Sequence, residues 1–144
     1  MNKNTNLYND LYKNVRMATY GIDCIIDAIE HKKLKDLILK QNKIYLDYTK
    51  KLEKLAKALK VEVVDLNPFL KASSFTSIKM KTIMNNEKNH LCEMLIQGTT
   101  MGITTIIIAI SENKDADDDL KEIANDIRKS QENFVDSLKD IILL

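Results

Sequence analysis

One group among the chemistry-bearing residues of this 144-residue chain stands at an ordered spacing: Glu87, His90 and Glu93. Steps of three on a helix put successive side chains on neighbouring angles, so two carboxylates and an imidazole converge toward one divalent cation. Glu-x-x-His is also half of the ligand set of di-iron helical bundles, which need it twice, with one glutamate from each of two further helices. The rest of the chain does not supply that set. Asp23, Asp27, Asp47 and Glu53 fall away from the apolar lines of their segments. The last segment offers Glu122, Asp126, Glu132 and Asp136 but no histidine. A single-helix site for a divalent metal on Glu87, His90 and Glu93 stays as the alternative. The plainer reading, which we favour, has Glu87 supporting a helix start, His90 half-buried and Glu93 solvated.

Other chemistry is scarcer still. Cys24 and Cys92 show no paired metal or redox spacing, and two cysteines cannot staple a chain of this size, so both read as reduced thiols. Cys92 is two residues from His90, which turns the two side chains to different faces of a helix. His31 sits beside Glu30 at an expected turn. There is no glycine-rich phosphate loop, no nucleophile elbow and no dinucleotide fingerprint. Neither a catalytic residue nor an organic cofactor is expected.

Positioning falls to helices. The chain has 3 Gly, 1 Pro and no Trp, and hairpin-rich or disordered chains use more breakers. Leu7, Leu11, Val15, Ala18, Ile22, Ile25 and Ile29 recur at steps of three and four, predicting a helix over about 5–30, with Thr5 or Asn6 as its cap. A second helix is expected over about 33–60, on Leu34, Leu37, Gln41, Ile44, Tyr48, Leu52, Leu55 and Leu59. Val61–Leu66 is β-branched and extended in character. Asn67–Pro68 then opens a crossover helix over 68–84. Helix three is expected over about 87–111 and helix four over about 115–142, the latter on Leu120, Ile123, Ile127, Gln131, Phe134, Leu138 and Ile141.

Short links join the first two helices and the last two, while about 26 residues separate the pairs. Two antiparallel hairpins joined by a long crossover is the ferritin-like form of the all-α four-helix bundle, in one domain over 1–144. We favour it over the rival, an up-down bundle with a fifth, short helix at Pro68–Met84. The run from His90 to Thr104 resembles a segment of small uncharacterised ferritin-like proteins from Gram-positive anaerobes. That resemblance implies a four-helix bundle and brings no activity with it.

Met94–Ser111 carries no charge over 18 residues. As a membrane span it is short, holds Gln97 and four threonines, and belongs with three amphipathic helices whose outer faces are charged. We expect no transmembrane span. As a bundle helix it has one polar stripe and is otherwise apolar, which fits burial against a second copy. Gly98 and Gly102, with Met94 and Met101, allow close approach there. A second line of small residues, Met17, Gly21, Cys24 and Ala28, could serve the same homodimer.

The net charge of +1 hides a division. Residues 1–88 hold 17 basic and 10 acidic side chains, and residues 89–144 hold 5 and 11. Ten lysines lie between Lys32 and Lys60. They could meet nucleic acid or an anionic membrane, but without arginine or interleaved aromatics we read them as a solvated face, and nucleic-acid binding is not expected. The 20 Lys against 2 Arg suit AT-rich bacterial coding. Met1–Asn6 shows no apolar signal segment, so a cytoplasmic location is expected. The expectation as a whole is a non-catalytic interaction or structural protein that self-associates through helix 91–110.

Overall fold

The computed structural model describes residues 2–64, 66 and 85–144, and the expected crossover helix over 68–84 lies outside them. Among the described residues the chain is all-helical. Helix α1 spans Lys3–Ile25 and tightens into a single 3-10 turn at Ile26–Ala28; α2 spans Lys32–Leu59, α3 Lys88–Glu112 and α4 Asp118–Ile142. The cap of α1 is Asn2, ahead of the two expected residues. Its side-chain oxygen accepts from the Thr5 amide at 2.8 Å, so the helix begins two residues earlier than the periodicity suggests. His31 caps α2 in the same way, accepting from the Leu34 amide through Nδ1 at 3.3 Å, and Asp117 caps α4.

Each helix packs against two neighbours. α1 lies between α2 and α3, and α4 lies between α3 and α2. The Lys3 ammonium donates to the Glu112 carbonyl at one end, and Asn86 Nδ2 donates to the Ala28 carbonyl at the other, so α1 and α3 run antiparallel. Lys51, Lys54 and Leu55 border one groove with Asp119, Glu122 and Ile123, which sets the end of α2 beside the start of α4. All neighbours are therefore antiparallel, and α2 and α3 sit on a diagonal, pointing the same way.

One apolar core joins all four helices, with Leu7, Leu11, Leu34, Ile38, Leu52, Ile106, Leu120 and Ile127 fully buried. On α2 the buried line is Leu34, Ile38, Gln41, Tyr45, Thr49, Leu52 and Ala56. Leu37, Ile44, Tyr48, Leu55 and Leu59 are half-buried at its flank.

Beyond α2 the chain turns through Lys60, the one described non-glycine residue with positive φ, at 53°. The left-handed conformation costs an L-residue roughly 1 kcal/mol or more that glycine does not pay. Lys60→Gly is expected to raise unfolding stability by about 1 kcal/mol in urea denaturation. The following residues are strapped to α1: Asn9 Nδ2 donates to the Glu62 carbonyl at 2.9 Å, and the Val64 amide donates to Asn9 Oδ1 at 3.1 Å.

Tyr8 is buried and stacks on Tyr12 with ring centroids 5.6 Å apart. Burial, with lesser contributions from Tyr12 and Glu53, pushes its pKa up to about 12 from 10.0. Burial also raises Tyr45. The folded state thus holds these phenol protons more tightly than the unfolded chain. For Tyr8 that stabilisation is complete below pH 10 and is lost as the pH rises through about 12. Thermal melts should show a plateau up to about pH 10 and a falling midpoint above it.

Candidate functional site

The motif Glu87-x-x-His90-x-x-Glu93 is carried by the first turns of α3. Glu87 is the N-cap residue, exposed, and makes no side-chain capping bond. His90 is half-buried, and its Nε2 has no hydrogen-bond partner among the described residues. Glu93 is exposed, with Gln97 Nε2 donating to its Oε1 at 3.5 Å. Among the described residues, no three or more His, Cys, Asp or Glu side chains are grouped to hold a metal ion. Cys92 is fully buried beside this motif, and burial raises its thiol pKa against the opposing pull of Lys88, which keeps it unreactive.

The line Met17, Gly21, Cys24 and Ala28 is half-buried throughout. Asn14, one turn ahead of Met17, donates through Nδ2 to the Gly102 carbonyl at 3.0 Å. The Ala28 carbonyl at the far end accepts from Asn86, just before α3. These two bonds tie the side of α1 that carries Asn14, and the end of the 3-10 turn, to α3 and to Asn86 just before it.

Helix α3 is the unusual element. It is the one described helix long and apolar enough to cross a membrane by length and composition, yet only 11% of its most apolar 18-residue window is buried in the chain. Leu91, Cys92, Ile106 and Ala109 turn inward. Outward lie Gln97, Gly98, Thr100, Met101, Thr104, Thr105, Ile107, Ile108 and Ser111. Met101 is 72% exposed, and Ile107 and Ile108 are each 49% exposed.

The polar groups on this face are largely occupied. Thr104 and Thr105 Oγ1 donate to the carbonyls of Thr100 and Met101, and Ser111 Oγ donates to that of Ile108, at 2.7–3.1 Å. Hydroxyls folded back onto their own helix leave methyl groups outward. The outer surface of α2 contrasts with this. There Lys40, Lys43, Lys50 and Lys57 are exposed, while Lys51 and Lys54 share a groove with Asp119, Glu122 and Asp126 of α4.

Behind α3, at mid-height of the bundle, all four helices contribute to a polar layer. Gln131 Nε2 donates to Asn14 Oδ1 at 2.8 Å, and Asn14 passes a bond on to Gly102. Buried Tyr45 lies beside Gln41 and Gln131, whose amides pull its pKa down against the larger effect of burial. Gln41 Nε2 and Gln131 Oε1 are left without partners. The two glutamines at apolar-line positions signal this layer in the sequence. Asn14 and Tyr45 are not distinguished by any pattern there, and the layer can be assembled only once the helices are in register. It consists of neutral amides and a phenol, with no carboxylate among the buried polar side chains described.

No family model, curated protein or solved structure matches this chain.

Proposed function

We propose that this chain is a non-catalytic interaction protein that associates with a second copy of itself through the outer face of α3. The observation that carries this reading is an uncharged stretch of 18 residues whose side chains are mostly outside the chain's own core. Contiguous exposed apolar surface is costly in water and marks an interaction surface. Among the described helices the others bury most of their apolar lines and present mainly charge outward, although Leu39 and Leu46 of α2 are also exposed, so α3 is the least finished in one copy.

Ferritin-like connectivity is part of the same proposal. It is supported by the diagonal, same-direction placement of α2 and α3. A structural over a metal-binding role is supported by the polar layer, which consists of amides and a phenol rather than the inward carboxylates that a di-iron bundle needs.

Sedimentation equilibrium of the purified chain tests the proposal. A reversible monomer–dimer distribution over micromolar concentrations supports it. A single monomeric species at every concentration overturns it.

A further inference from the structure

We propose that the polar layer behind α3 is the binding site of one internal water molecule, held between Gln41, Tyr45 and Gln131. This site is independent of self-association. The three residues are only 5%, 2% and 2% exposed, so bulk solvent does not serve their polar groups. Gln131 uses its Nε2 to donate to Asn14 Oδ1 at 2.8 Å. Its Oε1 and the Nε2 of Gln41 are each buried without a partner. Both amides lie close enough to the Tyr45 hydroxyl to act on it electrostatically. Unpaired buried amide groups are costly, and protein interiors satisfy nearly all of them with protein or ordered water.

The chemistry of the three groups selects the ligand. Gln41 Nε2 offers a donor, Gln131 Oε1 an acceptor, and the Tyr45 hydroxyl serves as either. One water accepts from the first, donates to the second and makes a third bond with the phenol, the usual number for a buried water. The match survives turning the Gln41 amide over, because the water then donates to both amide oxygens and accepts from the phenol. An ion does not fit. No carboxylate or ammonium stands among the buried polar side chains described, and a donor beside an acceptor opposes either sign of charge.

The water gives α2 its place in the layer. The described bonds run from Gln131 of α4 to Asn14 of α1 and on to the Gly102 carbonyl of α3. The side chains of Gln41 and Tyr45 take part in none of them. Through the water, all four helices share one network. Helix α2 carries a second apolar line at Leu37, Ile44, Tyr48 and Leu55, and turning that line inward would withdraw both groups. The network therefore adds to packing in selecting the observed face of α2.

Gln41→Met tests the site by the sign of its effect, since methionine keeps the shape and removes only the polar atoms. Thermal midpoints are read by circular dichroism at one protein concentration. With the water bound, the substitution removes one of its partners, and the midpoint falls by about 3–5 °C. With Gln41 Nε2 unpaired, the same substitution relieves a desolvated amide, and the midpoint does not fall. Tyr45→Phe should also lower the midpoint. The double variant should lose less than the sum of the two, because both side chains act through one water. A crystal structure of the parent chain should show a water within hydrogen-bond distance of Gln131 Oε1 and Tyr45 Oη. A raised or unchanged midpoint in Gln41→Met, additive losses, or a layer closed by direct bonds between the three side chains each overturns the proposal.

Discussion

Met101→Glu leaves the protein monomeric, with self-association weakened by at least roughly 100-fold and the thermal midpoint of the monomer unchanged. Met101 stands at the centre of the exposed face with 72% of its surface open, so its replacement removes almost nothing from the fold. In the proposed dimer the same position lies within the contact face of α3. A carboxylate placed there is stripped of water on association, and the desolvation of an unpaired charge costs several kcal/mol. Sedimentation equilibrium reads the association and circular dichroism the midpoint. An unchanged dimer would mean that the contact lies elsewhere on the molecule. A lowered midpoint in the monomer would mean that Met101 belongs to the core after all.

Where a helix carries one narrow apolar line, the sequence shows which side is buried. Leu7, Leu11, Val15, Ile22 and Ile25 on α1 and Ile29 just beyond its 3-10 turn are all buried, as are Leu120, Ile127, Phe134, Leu138 and Ile141 on the last helix. The phase of α2 was harder to read. Its apolar residues cover a wide arc, from Leu34 and Leu37 through Ile38, Ile44, Tyr45 and Tyr48, and either of two lines a quarter-turn apart satisfies helical spacing. Packing between α1 and α4 selects Ile38, Tyr45, Thr49 and Ala56 over Leu37, Ile44, Tyr48 and Leu55. Burial is a property of the assembled bundle, and a periodicity with two solutions cannot choose between them.

The candidate site was legible as a stretch but not as a face. Met94–Ser111 is apolar on almost every side, so its periodicity says little about phase, and a burial direction cannot be read from it. The structure supplies that direction through Leu91, Cys92, Ile106 and Ala109. It thereby leaves Met101 and Ile108 outward, on the side that also holds Gln97 and Thr104.

Gly98 and Gly102 lie one turn apart on α3, and the same substitution at each should move stability in opposite directions. Gly102→Leu is expected to lower unfolding stability by about 3 kcal/mol, at the upper end of the cost of overpacking. A Cβ on Gly102 comes within 3.3 Å of both Asn14 Nδ2 and Gln131 Nε2. Neither amide is free to withdraw: Asn14 donates to the Gly102 carbonyl, and Gln131 donates to Asn14. A leucine side chain must displace both, breaking the two bonds that tie α1, α3 and α4 together at mid-height and leaving their buried ends unsatisfied. The helix propensity gained on losing a glycine, about 0.8–1 kcal/mol, does not offset this. At Gly98 the added atoms point into open space, so only the propensity gain remains. Gly98→Leu should raise monomer stability by somewhat under 1 kcal/mol. In the proposed dimer, however, exposed Gly98 lies on the contact face, and the bulkier side chain holds the helices apart. Gly98→Leu therefore separates fold from assembly: urea denaturation should show a more stable monomer, and sedimentation a weaker dimer. If it stabilises the monomer and leaves the dimer unchanged, Gly98 lies outside the contact and the seam must be redrawn on the side of Thr100 and Ile107.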